Sequence, residues 1–229
     1  MNQARGDAEM RRAESTSERR IESAVRAAQK LLVTAGLLAF GFFGGCGAAK
    51  PSKYYQLTIP ASVAPVEKAD TVPITLLLGP MMTSHLYRED RIVYGNGGEE
   101  LGLYEYQRWA TPPAEMIQDV LLRELRNSGR YQAVYFRRSG IQGDFAVRGR
   151  LYDFKEVDGT QLTARVSFEM EMRNLKTGVT IWTHYYSHDE PVASKNVNAI
   201  VGALDQGVQR GVSEMLASLD QYFASHPVK

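Results

Sequence analysis

The sequence predicts an α+β domain: a mostly antiparallel sheet with two main helices packed on its apolar face. Three stretches carry that expectation. From Gln161 to Arg173 every even position (Leu162, Ala164, Val166, Phe168, Met170, Met172) is apolar and every odd one is polar or charged. Such period-two order marks a strand with one buried and one wet face. Asn174–Gly178 then turns the chain, and Val179 to Tyr186 returns beside it. Third, the apolar residues from Val197 to Phe223 recur every three or four positions, the pattern of a long amphipathic helix.

The remaining elements follow in order. Tyr54 to Ile59 reads as a first strand with Tyr55, Leu57 and Ile59 on one face. Pro60–Asp70 holds two prolines and no period, so it is a connection. Val72, Ile74, Leu76 and Leu78 alternate in a second strand that stops at Gly79-Pro80. Two short β-prone pieces, Arg91–Tyr94 and Leu101–Tyr106, flank the hairpin turn Gly95-Asn96-Gly97-Gly98. Thr111 caps the first helix, Pro112 suits its first turn, and Met116, Ile117, Val120, Leu121 and Leu125 form its buried stripe. Asn127-Ser128-Gly129 stops it. Tyr131–Phe136 is another β segment, and Phe145, Val147, Gly149 and Leu151 alternate in the next, with Arg148, Arg150 and Tyr152 facing the other way. The last helix holds Gly202, Gly207 and Gly211, each costing about 1 kcal/mol relative to Ala. Close packing on the sheet is the expected compensation.

Ahead of this domain lies a leader. Residues 31–43 are a 13-residue apolar run, preceded by Arg26 and Lys30 and closed by Gly44, Gly45 and Cys46. A bilayer core needs roughly 20 apolar residues, so the run is too short to span one. It fits the h-region of a secretory signal. The single cysteine directly after the two glycines makes it a lipoprotein signal, with cleavage before Cys46 and acylation of that residue; Phe43 stands where such signals usually carry Leu. The chain thus divides into a leader, residues 1–45, an acylated tether, 46–53, and one α+β domain, 54–226. Residues 1–24 are long and mixed in charge for a signal, which fits a translation start further in, at Met10 or Val25.

Composition excludes several function classes. With 27 Lys and Arg against 26 Asp and Glu, the chain lacks the basic excess of a nucleic-acid surface. One cysteine permits no internal disulfide. His184 and His188 end a strand, where four residues span about 13 Å, too far to share one zinc; no metal or cofactor is expected. Glu169 and Glu171 stand about 6–7 Å apart on a strand face. Thr163, Arg165 and Ser167 continue that face as ordinary wet sheet would. No nucleophile elbow, phosphate loop or paired-cysteine motif occurs, so the chain reads as no enzyme. Alternation with Ile181 and Tyr185 would put Trp182 and Tyr186 on the polar face, open to a partner protein or acyl chains. If the sheet twists they pack beneath a loop instead, and that is the preferred reading.

Several of these residues together resemble the ABC-type transport auxiliary lipoproteins. Cys46 followed closely by Tyr54-Tyr55-Gln56-Leu57 looks like that family's mature start. Residues 86–93 (LYREDRIV) are similar to its tyrosine-leucine-aspartate-arginine stretch, with the first two residues reversed. Arg108-Trp109-Ala110, entering the helix of Met116 to Leu125, resembles its tryptophan-alanine-proline helix start, with Thr111 interposed. The resemblance implies a non-catalytic part of a mammalian-cell-entry (MCE) type lipid transport system, of the paraquat-inducible or intermembrane phospholipid trafficking kind. Its partners would be an inner-membrane ATPase and permease and an MCE protein that spans the periplasm. Gly47, rather than an aspartate, follows the cysteine, which favours sorting to the outer membrane. The alternative is a periplasmic lipoprotein that itself binds a small ligand or lipid. A homo-oligomer is compatible with either.

Overall fold

The computed structural model describes residues 50–61 and 71–228. Eight strands form one sheet: β1 (Lys53–Tyr55), β2 (Val72–Thr83), β3 (Arg91–Gly95), β4 (Leu101–Trp109), β5 (Tyr131–Phe136), β6 (Phe145–Asp158), β7 (Leu162–Asn174) and β8 (Thr180–Pro191). Helix α1 (Pro113–Asn127) packs on β2 and β5, and α2 (Val197–Ser225) packs on β7 and β8. The helices touch each other and share one continuous core with the sheet, so the α+β expectation holds.

The sheet is mixed, however, and not mostly antiparallel. Antiparallel pairing joins β3 to β4, β6 to β7 and β7 to β8. Parallel pairing joins β1 to β4, β2 to β5, β2 to β6 and β3 to β6. The organising strand is β6. Along one edge it carries β7; along the other it takes β2 on its first half and β3 on its second. Between β2 and β3 the chain makes only a short 3-10 detour, His85–Arg88, and resumes its direction. Both therefore run parallel to β6. Alternation of side chains reports which face is buried and carries no information on strand direction, so this arrangement was invisible in the pattern.

Three local expectations change. Only Lys53–Tyr55 joins the sheet, because residues 56–59 leave it for α2: the Thr58 amide donates to Asp205 Oδ1 at 3.0 Å and Gln209 Nε2 donates to the Thr58 carbonyl at 2.9 Å. Leu57 is buried by that turn, whereas Ile59 is exposed. Strand β2 does not stop at Gly79-Pro80 but continues to Thr83 through a register shift between Leu78 and Met81, a place where a proline's missing N–H is tolerated. Helix α1 starts one residue later than expected, with Pro112 rather than Thr111 at its N-cap and no side-chain cap. Tyr152 faces away from the core with Arg148 and Arg150, as expected, and is the extra residue of a bulge in β6 between the Leu151–Phe168 and Asp153–Ser167 pairs.

The glycines of α2 divide. A Cβ on Gly211 would lie 2.6 Å from Tyr186 and 2.8 Å from Phe168, and one on Gly207 would lie 2.8 Å from Val166. These two let the helix sit close on the sheet, as expected. Gly202 has nothing within 4 Å of that position, so packing does not account for it.

Candidate functional site

Cys46 and the apolar run before it lie outside the described residues. The chain enters the described region at Lys50 and joins the sheet edge at Lys53. Among the described residues no helix is long and apolar enough to cross a membrane.

Trp182 and Tyr186 are placed by register. Trp182 lies opposite Met172 and Tyr186 opposite Phe168. Directly opposed residues share a face, so both inherit the buried side of β7. They are 8% and 4% exposed, beneath α2 rather than beneath a loop. Trp182 Nε1 donates to Ser218 Oγ of α2 at 3.1 Å, and Tyr186 tilts against Phe168 with ring centroids 5.2 Å apart. Burial pushes the Tyr186 phenol up to about 12, with Glu214 and Glu190 adding to it. Neither ring forms open surface in this arrangement. The residue that does is Tyr185, 59% exposed on the uncovered face.

Further along the same strand is an ion pair with one buried partner and one half-exposed partner. Glu190 is 4% exposed and accepts from Arg210 Nε of α2 at 2.7 Å; His188 Nε2 is 3.6 Å from the same oxygen. The two histidines do not converge on a metal geometry: His184 stacks on Trp182 and His188 on Tyr186. Among the described residues no group of three His, Cys, Asp or Glu could hold a metal ion.

The uncovered face of the sheet is laced with ion pairs. Arg148 holds Glu171, and Arg165 makes a bidentate contact to Asp189 at 2.7 Å through each nitrogen. The Arg165 guanidinium holds the Asp189 carboxyl below its ordinary value. Glu171 is thus engaged by a cation, and Glu169 lies across from Arg150 and Tyr185 in the ladder. Amid these charges the rings of Tyr152 and Tyr185 meet at 6.1 Å. The bulge that ejects Tyr152 from the ladder is what aims it here.

A groove of 740 Å³ opens where β2, the start of α1 and the turn after β5 come together. Met82, Phe136 and Ala114 supply apolar lining; Arg88 and Arg138 stand with Glu115 and Asp119 as charged lining. The Arg138 guanidinium lies 4.8 Å from the centre of the Phe136 ring. With both charge signs and a modest apolar share, the groove suits a polar chain segment better than a bare acyl chain. Sequence reading missed it, because its residues come from separate segments with no common spacing.

Comparison with known families decides the assignment. The model of the ABC-type transport auxiliary lipoprotein component matches residues 55–216. The chain belongs to that family. The description is of a transport component and not of an enzyme class. Among solved structures, a Xanthomonas campestris protein of the DUF330 family aligns with a TM-score of 0.62 at 19% identity, covering 72% of this chain and 92% of its own. An uncharacterized protein aligns with a TM-score of 0.59 at 13% identity, covering 74% of this chain and 99% of its own. At these identities the likeness is one of fold. A comparison with curated proteins finds no match. The auxiliary lipoprotein match starts at Tyr55 and takes in all of the sheet from β2 onward and most of α2.

Proposed function

We propose that this auxiliary lipoprotein is a periplasmic adaptor of an MCE-type ABC lipid transport system, held at the outer membrane by acyl chains on Cys46. The observation that carries the reading is the order of parts: an apolar run, two glycines, the only cysteine, and then a transport-auxiliary domain beginning at Tyr55. Gly47 behind the cysteine supports outer-membrane sorting. Two or more acyl chains hold a protein stably where one holds it marginally, so the cysteine anchors and the body docks. The partners are the MCE protein and, through it, the permease and ATPase of the same system. Trp182 and Tyr186 contribute to such contacts by fixing α2, whose outer side and the uncovered sheet face are the surfaces on offer.

The test is fractionation of cells expressing the wild type and Cys46→Ser. The variant is expected to stay folded, leave the membrane fraction and lose co-purification with the MCE protein. A Cys46→Ser protein that sediments with membranes as fully as wild type contradicts the anchor. Lipid that co-purifies stoichiometrically with the soluble variant favours the alternative of a lipid-binding lipoprotein.

A further inference from the structure

Strand β2 outruns one of its neighbours. On one side β5 pairs with it only as far as Leu78–Phe136, while on the other β6 continues to Met81–Gly149, Met82–Arg150 and Thr83–Leu151. From Gly79 to Thr83 the side that β5 vacates faces no strand among the described residues. The Gly79 carbonyl is taken by Gln118 Nε2 of α1 at 2.8 Å, and Pro80 has no N–H. A strand turns its N–H and C=O groups alternately to its two sides, so Met81–Thr83 offer unpaired groups there. An edge of that kind is a template for another strand.

This edge forms the floor of the 740 Å³ groove, whose lining takes in Pro80, Met81, Met82 and Thr83 without a break. Arg138 borders it where β5 ends, Arg88 borders it beyond Thr83, and Glu115 and Asp119, one turn apart on α1, belong to its wall. Among the described residues none of these four charges makes an ion pair. An acyl chain would bury the free backbone groups with no partner, which is costly; an extended peptide satisfies them. Its side chains alternate. Those on the α1 side meet two carboxylates, so a basic residue belongs there. Those on the other side meet Met82, which is 47% exposed, so an apolar residue belongs there. The two ends meet arginines, so acidic residues belong at the flanks. Four floor residues span about 13 Å, the length of a short strand.

We infer that the free edge of β2 is a strand-addition site for a short extended segment of a partner protein, with a basic residue toward α1, an apolar one toward Met82 and acidic flanks. The inference deepens the adaptor reading and rests on it: the segment belongs to the MCE protein.

The experiment measures binding of the processed lipoprotein to the MCE protein of the same system, with hydrogen–deuterium exchange on the same mixture. The fast-exchanging amides of Met81–Thr83 are expected to slow at least tenfold in the complex. Glu115→Gln with Asp119→Asn is expected to weaken binding about tenfold. Glu99→Gln with Glu100→Gln removes as much charge outside the groove and is expected to leave binding unchanged. All four carboxylates are exposed, so neither pair tests folding. A complex in which Met81–Thr83 exchange as fast as in the free protein, or which both pairs weaken equally, overturns this inference alone. The same protection in concentrated lipoprotein without the MCE protein gives the groove to a second copy and overturns it too. No complex with the wild type overturns the adaptor reading as well.

Discussion

Two glycines of α2 should respond to the same substitution with opposite signs. Alanine at Gly202 meets nothing within 4 Å, so it should gain the helix preference of Ala over Gly, about 1 kcal/mol. Alanine at Gly211 gains the same preference, but its Cβ would sit 2.6 Å from Tyr186 Cδ1, 2.7 Å from Tyr186 Cε1 and 2.8 Å from Phe168 Cζ. Those atoms belong to rings that are 4% and 0% exposed, not to flexible ends. Relief requires the helix to rise from the sheet. Overpacking of this kind costs about 1–3 kcal/mol, so the net effect is a loss of about 1 kcal/mol and the two variants should differ by about 2 kcal/mol. Urea unfolding read by far-UV circular dichroism measures this directly. In thermal melts each kcal/mol should move Tm by about 3 °C for a domain of this size. If Gly211→Ala proved as stabilising as Gly202→Ala, the close seating of α2 on β7 and β8 would be wrong.

Other expected outcomes follow from the buried contacts. Arg210→Met strands the Glu190 carboxylate beneath α2 and should cost about 2 kcal/mol, since Arg210 itself is half exposed; adding Glu190→Gln should restore most of it. Trp182→Ala should destabilise by about 3–5 kcal/mol by opening a cavity under the helix, measured by denaturant midpoint. At alkaline pH, burial holds the phenols of Tyr87 and Tyr186 at about 12. The unfolded chain releases those protons near 10, so stability should be full below pH 10 and fall between 10 and 12, and Tyr87→Phe should flatten that fall. On the acid side the depressed Asp189 carboxyl contributes stability above its ordinary value of 3.8 that is lost as pH drops through the folded value. Asp189→Asn should remove that part of the acid transition.

What was legible in the sequence was periodicity. The alternation of β7 and the stripe of α2 both appear in the structure, since each element's burial is largely set by its own pattern; the exception is Ser167, expected on the wet face but 1% exposed and bonded to Asp153. What was not legible depended on partners far along the chain. The parallel alignment of β2 and β3 with β6 leaves no local mark. Residues 56–59 look like a strand continuing from β1, yet a helix 147 residues away claims the Thr58 amide. The phase of Trp182 and Tyr186 is fixed by Met172 and Phe168 across the ladder, with Ile181 bulged out between pairs, and no reading of β8 alone supplies that. Cys46 is the reverse case: plain in the sequence by position, and outside the described residues.

The dual occupancy of one strand's edge has a consequence for how the chain acquires its shape. Residues 72–83 have no lateral neighbour until residues 131–136 and 145–151 have been made. Synthesis proceeds from the N-terminus, so those hydrophobic residues must wait while more than a quarter of the polypeptide emerges. Contacts so distant along the chain form slowly. Any route that delivers this protein must therefore keep β2 shielded until β5 and the central strand arrive to flank it.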